Sequence, residues 1–175
     1  MSTVVAIVDK GKVWMGADSY ATMEGGERRR IICNKIFTNG PYLIGYVGSV
    51  RVGQVVRPEY FTPPDDILKL PDALIKHFKE KGCLGVDGED QTSKNASNFL
   101  IATPTGRLFE ILVDFQLNEV KDFTAIGSGS PFALGSLYTT KGIKNCRRRA
   151  TTALMVAGVY DMHTGPPYII EEFLE

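Results

Sequence analysis

Position 2 places a serine hydroxyl directly after the first methionine. A hydroxyl needs a base before it can attack a carbonyl, and this sequence offers few. Its two histidines are His77 and His163. His77 falls within a predicted helix and reads as a surface residue. His163 follows Asp161 near a helix end and reads as a capping or packing residue. Neither accompanies a G-x-S-x-G nucleophile elbow. A different base becomes available if Met1 is removed, because Ser2 then carries a free α-amine. Such an amine has an ordinary pKa of about 7.7–8.0 and is substantially neutral near physiological pH. One residue would supply both nucleophile and base. Met-Ser also opens many ordinary chains, so this start does not decide the chemistry alone.

Other reactive residues are sparse. The cysteines Cys33, Cys83 and Cys146 match no metal-binding spacing, and their odd number argues against a disulfide framework. A reducing cytosol is the simplest compartment. Lys+Arg and Asp+Glu both count 20, a balance unlike the basic excess of a nucleic-acid binder. The runs Arg28–Arg30 and Arg147–Arg149 read as solvated faces or loops. The opening residues lack the pattern of a signal peptide, and no apolar run is long enough to span a bilayer. The length of 175 residues fits one domain spanning 1–175. A chain of this size buries roughly 70% of its unfolded surface and needs no staples.

The elements that would position these residues follow from pattern. TVVAIV (3–8) is β-branched and apolar, and with VWMGAD (13–18) it predicts a hairpin across DKGK (9–12). SYATMEGGERRR (19–30) reads as a polar loop. KIFT (35–38) and YLIGYVG (42–48) form a second hairpin around Asn39–Pro41. SVRVGQVV (49–56) opens a helix that Gly53 and Pro58 keep short. PDALIKHFKEKG (71–82) predicts a helix with Pro71 near its start and Gly82 just past its end. Residues 85–96 form a long polar loop.

Strands return at 97–103 and 107–113, with a further short strand at 120–127. Helices follow at about 130–140 and 143–160. In the second, Ile143, Cys146, Ala150, Ala153, Leu154 and Ala157 recur at helical spacing and mark the core side. Gly135 permits close packing of the first. PYIIEEFL (167–174) is a final strand or extended tail. Grouped hairpins and grouped helices together predict an α+β fold of several layers.

The segment STVVAIVDKGKVWMGADSYAT (2–22) is similar to the opening of proteasome β subunits and of bacterial HslV, including GADSYAT (16–22). The match continues through NKIF (34–37), YLIGYVGS (42–49), AIGSGSPFALGSLY (125–138) and YDMHTG (160–165). These matches run in the family's order over most of the chain. Residues 50–95 are the exception: Gly53, Pro58, Pro63 and Pro64 fall where the family has a long helix.

The resemblance implies a four-layer αββα sandwich, the N-terminal-nucleophile hydrolase fold. It implies homo-oligomeric stacked rings acting on unfolded polypeptide substrates, with an AAA+ unfoldase as partner class. It calls for no metal or organic cofactor, no nucleic acid and no membrane. Ser2 matches the family's nucleophilic Thr, without the γ-methyl that restricts χ1. Asp18 and Lys35 match a buried ion pair beside the nucleophile. Ser128 matches the serine that bonds the nucleophile's amine, and Asp161 and Thr164 match the residues orienting that network. Gly48 matches the oxyanion donor. Gly45 aligns with the floor of the first specificity pocket, and Ala21 and Thr22 align with residues that pair to the substrate backbone. Two rival readings share the fold: a catalytically silent ring subunit, and an amidohydrolase acting on a small amide.

Overall fold

The computed structural model describes residues 2–22, 27–30, 34–84 and 97–173. Met1, Cys33, the tip of the expected 19–30 loop and the expected 85–96 loop lie outside the described residues.

The central strand β1 (Thr3–Asp9) pairs antiparallel with β2 (Lys12–Ala17) across a tight turn at Lys10 and Gly11. β10 (Phe123–Gly127) joins the free side of β1, and β11 (Ile169–Phe173) joins β2, giving the order β10-β1-β2-β11. A second antiparallel sheet runs β5 (Ile36–Asn39), β6 (Tyr42–Val47), β7 (Asn98–Ala102), β8 (Leu108–Ile111) and β9 (Leu117–Val120). The described residues also hold four α-helices: α1 (Val50–Val55), α2 (Leu70–Glu80), α3 (Ser130–Thr139) and α4 (Cys146–Tyr160).

The side-chain period of β1 explains the layering. Val4 and Ala6 face the second sheet and pack with Leu43, Leu100 and Leu108. Val5 and Ile7 face the other way, onto Ala133, Leu137, Ala150 and Leu154 of α3 and α4. Successive strand residues point to opposite faces, so a strand covered on both sides reads as the unbroken apolar run TVVAIV. On the far side of the second sheet, Ile44, Phe99 and Phe109 pack against Val52, Leu74 and Phe78 of α1 and α2. The layers are therefore α3/α4, sheet, sheet and α1/α2, the expected αββα sandwich. Each fully buried Leu of this core contributes about 1.5–3 kcal/mol.

The helix signals hold where they are local. Pro71 lies in the first turn of α2, and Gly82 adopts φ +65° just past its C-cap. At α4 the expected start at Ile143 gives way to Asn145, which caps the helix by accepting from the Arg148 N–H at 2.8 Å.

Several expectations fail for tertiary reasons. Residues 19–30 contain a two-stranded ribbon, β3 (Tyr20–Thr22) with β4 (Arg28–Arg30), because main-chain pairing outweighs a polar composition. The single strand expected at 120–127 is two: β9 ends at Val120 in one sheet and β10 begins at Phe123 in the other. His77 is buried rather than on the surface. It lies one helical turn from Leu74, its Nε2 is 2.8 Å from the Val55 carbonyl, and its ring packs on Phe61. Arg149 is also buried, donating from Nη2 to the Leu137 carbonyl at 3.1 Å, so the 147–149 run is not wholly solvated. Gly135 faces open space, with no neighbour within contact of a would-be Cβ. Ile143 lies outside α4 and only half-buried.

Candidate active site

Ser2 lies at the head of β1, where four other parts of the chain converge. The turn after β2 brings Asp18, the entry to β5 brings Lys35, and the turns after β10 and α4 bring Ser128, Asp161 and Thr164. Two hydrogen-bonded networks result, one on each side of β1.

The first is centred on Asp18, which is 1% exposed. Its Oδ1 accepts from the Thr3 N–H at 2.9 Å and from Lys35 Nζ at 2.6 Å, and its Oδ2 accepts from the Tyr20 N–H at 2.9 Å. A buried carboxylate requires such donors to offset lost hydration. Lys35, 5% exposed, also donates to the Tyr20 carbonyl at 2.6 Å. The Ser2 hydroxyl donates to that same carbonyl at 3.4 Å. Lys35 and Ser2 thus share one acceptor. The charge of Asp18 reaches Tyr168 as well, whose phenol pKa is raised by burial first and then by Asp18 and Tyr20.

The second network is a chain of hydroxyls ending on a carboxylate. Ser128 Oγ donates to Asp161 Oδ2 at 2.8 Å, and Thr164 Oγ1 donates to the same oxygen at 2.6 Å. Thr164 and Thr3 are joined through their Oγ1 atoms at 2.5 Å. A hydroxyl has one proton, so with Thr164 committed to Asp161 the donor of that bond is Thr3. Asp161 is the C-cap of α4, and its own N–H donates to the Ala157 carbonyl at 2.7 Å.

Gly127 makes the junction possible. It holds φ +99°, and a Cβ there would run into the Ser2 carbonyl. Only glycine combines that backbone conformation with such an approach. Gly48, just past the end of β6, holds φ +111° and lines the same recess as Ser2, together with Tyr20, Ala21, Thr22 and Lys35. The recess holds about 20 Å³.

The structure therefore brings together Ser2, Asp18, Lys35, Gly48, Ala21 and Thr22, and sets Ser128, Asp161 and Thr164 against the other side of β1. Gly45 departs from its expected place on the pocket floor. A Cβ on it would point into the inter-sheet core, 2.5 Å from Met15 Sδ and 2.9 Å from Val4 Cγ1. Its neighbour Tyr46 lines the recess instead. The strand period accounts for the exchange, since adjacent residues point to opposite faces.

Sequence reasoning missed Thr3, the main-chain carbonyl of Tyr20, and Tyr46. Thr3 had a visible signal: a hydroxyl opening a wholly apolar strand. The Tyr20 carbonyl had none. It also missed the role of His163, whose Nδ1 lies 2.9 Å from Thr22 Oγ1. The 161–167 segment further holds Ser19, whose N–H donates to the Gly165 carbonyl at 3.2 Å and whose hydroxyl donates to the Pro167 carbonyl at 2.6 Å. Among the described residues no group of three His, Cys, Asp or Glu could hold a metal ion, and no helix is long and apolar enough to cross a membrane.

No family model matches the sequence. Solved structures do match the fold. Thiobacillus denitrificans BPH in complex with epoxomicin superimposes with a TM-score of 0.83 at 24% identity, over 98% of either chain. Eukaryotic HslV from Trypanosoma brucei gives 0.71 at 16% identity over 99% of either chain. Anbu (ancestral beta-subunit) from Yersinia bercovieri gives 0.72 at 12% identity, over 97% of this chain and 80% of that one. With its two facing sheets, its outer helices and these neighbours, the chain has the proteasome-like N-terminal-nucleophile hydrolase fold.

Proposed function

We propose that this protein is a self-compartmentalising endopeptidase in which Ser2, exposed by removal of Met1, is the nucleophile and its α-amine the base. The observation that carries this reading is the sharing of the Tyr20 carbonyl by Lys35 Nζ and Ser2 Oγ, with Asp18 holding Lys35 in place. A fixed ammonium beside the hydroxyl favours the alkoxide-like transition state and keeps the neighbouring amine neutral. Ser2 Oγ attacks the peptide carbonyl carbon while its proton passes to the α-amine. The oxyanion faces the Gly48 N–H. The C–N bond then breaks as the amine returns the proton to the leaving group. Water cleaves the resulting ester with the same amine as base. Ser128, Asp161 and Thr164 orient the amine through their hydrogen-bond chain, and Ala21 and Thr22 pair with the substrate backbone as an added strand.

Large apolar side chains left exposed on α3 and α4 favour assembly. Phe132 and Tyr138 on α3, Met155, Val159 and Tyr160 on α4 and Met162 just beyond it are each at least 39% exposed in the single chain, with Phe132 stacked on Tyr160, and contiguous exposed apolar surface marks association sites. A homo-oligomer of stacked rings in the cytoplasm, fed with unfolded polypeptides by an AAA+ unfoldase, fits that surface.

The test compares chains that retain and lack Met1, with equal assembly confirmed by sedimentation. The Met1-lacking chain should cleave peptides and take up epoxomicin, the compound held by the Thiobacillus denitrificans protein. The Met1-retained chain and Ser2→Ala should do neither, and Ser2→Thr should keep activity. Equal cleavage by the Met1-retained chain would overturn the mechanism. An exposed Ser2 with no adduct and no cleavage, even with an unfoldase present, would mean a silent ring subunit.

A further inference from the structure

At the opposite end of β1 from Ser2, about 20 Å away along the strand, lies a cleft of about 420 Å³ between the β1–β2 turn, β11 and the start of α4. It is far larger than the recess at Ser2, and none of the residues assigned to the chemistry there lines it. Four of its side chains are cationic: Lys10 and Lys12 from the turn, and Lys144 and Arg147 from the approach to α4 and its first turn. Asp9 and Glu172 oppose them. Glu172 is matched by Lys12 at 3.1 Å, which leaves Lys10, Lys144 and Arg147 against Asp9. The whole chain has zero formal charge, so this surplus is local. The positive end of the α4 dipole adds to it with the same sign.

Two features indicate that the surplus is built rather than incidental. Lys10 holds φ +51° in the turn, a left-handed conformation that costs a lysine roughly 1–2 kcal/mol and that Asn or Gly would adopt more easily. A cation at such a position points to a use for its charge. Trp14 lines the same cleft, and the Arg147 guanidinium lies over its ring, 5.7 Å from the centroid. A guanidinium resting on an indole face is held there by the ring quadrupole, which keeps Arg147 at the cleft.

We propose that this cleft binds a small polyanion, through phosphate or carboxylate groups held by Lys10, Lys144 and Arg147. The site stands apart from the chemistry at Ser2, so its test does not depend on peptidase activity. Trp14 is the chain's sole tryptophan, which makes its fluorescence a reporter of this cleft. The full chain is titrated with tripolyphosphate and with citrate at constant ionic strength, following fluorescence and binding heat. A saturable response to either supports the proposal, and the better ligand separates phosphate from carboxylate recognition. Lys10→Asn should weaken binding at least tenfold without lowering Tm, because asparagine accepts the turn's φ. Lys144→Ala and Arg147→Gln should weaken it similarly, read by heat. The proposal is overturned if neither anion gives a saturable response, or if Lys10→Asn and Arg147→Gln both bind as the unmodified chain does. It is equally overturned if only an acidic peptide binds, which would mark a protein-docking surface.

Discussion

Asp18 satisfies two main-chain N–H groups and one ammonium at once, so Lys35 has a structural role beside the chemical one proposed for it. Its removal leaves a buried carboxylate without its cation, a loss that costs about 3–5 kcal/mol. Lys35→Met should therefore lower Tm by several degrees, at about 2–4 °C per kcal/mol for a chain of this size. It should also abolish peptide hydrolysis at temperatures where the variant remains folded. Thermal melting and hydrolysis assays on the same preparation separate the two effects. Unchanged Tm would mean that the pair is not desolvated as described, and unchanged turnover would remove Lys35 from the mechanism. Thr3 belongs to the same scale. Its N–H binds Asp18 and its hydroxyl binds Thr164, which ties both networks to one residue beside Ser2.

At the scale of elements, the site is made by chain ends and turns rather than by the strands themselves. The segment after α4 reaches Thr3 at the head of β1 and Gly129 after β10, and the end of β10 meets the head of β1 at Gly127. A side chain there must overcome both a positive φ and a clash with the Ser2 carbonyl. Gly127→Ala should cost about 1–3 kcal/mol and displace Ser2 from the Tyr20 carbonyl. Epoxomicin uptake should fall more steeply than Tm, because the strain is released at the nucleophile. Equal uptake by the variant would show that the junction tolerates the shift. The segment after α4 also carries His163, which holds Thr22 of the β3 ribbon. One short connection thus fixes both the hydroxyl network and the strand proposed to bind substrate.

For the whole molecule, the four layers bury groups whose neutral forms the fold favours. The Tyr42 phenol is raised by burial first and then by Asp65 and Asp66. The Cys146 thiol is raised by burial first and then by Asp9, against an opposing effect of Arg149. Tyr168 is raised in the same direction. Because these groups hold their protons more tightly when folded, the unfolded chain loses protons first as pH rises. Their contribution is complete below the unfolded pKa values, about 8.5 for the thiol and about 10 for the phenols. It is lost as pH climbs through the higher folded values. Urea midpoints should decline steadily above about pH 8.5, and Tyr168→Phe should flatten the upper part of the decline. A midpoint constant up to pH 11 would contradict the burial of these groups.

The sequence by itself determined the hairpins at 3–18 and 35–48 and the limits of α2. Those features depend on neighbours in the chain: the unbroken β-branched run TVVAIV with the glycine turn after it, and Pro71 and Gly82 around α2. Resemblance to known proteins carried the positions of Asp18, Lys35, Ser128, Asp161 and Thr164. The tertiary structure alone decided what these residues touch. The Tyr20 carbonyl joins Ser2 to Lys35, yet any residue at position 20 would present the same backbone atom. Gly45 gave way to Tyr46 at the recess because the face of β6 turned to each layer depends on how the two sheets pack. Val120 and Phe123 parted into different sheets because the sandwich needs β10 beside β1, a pairing between residues more than a hundred positions apart in the chain. Local pattern reports the propensity of a segment, whereas the site is a meeting of chain segments that only the packed core holds together.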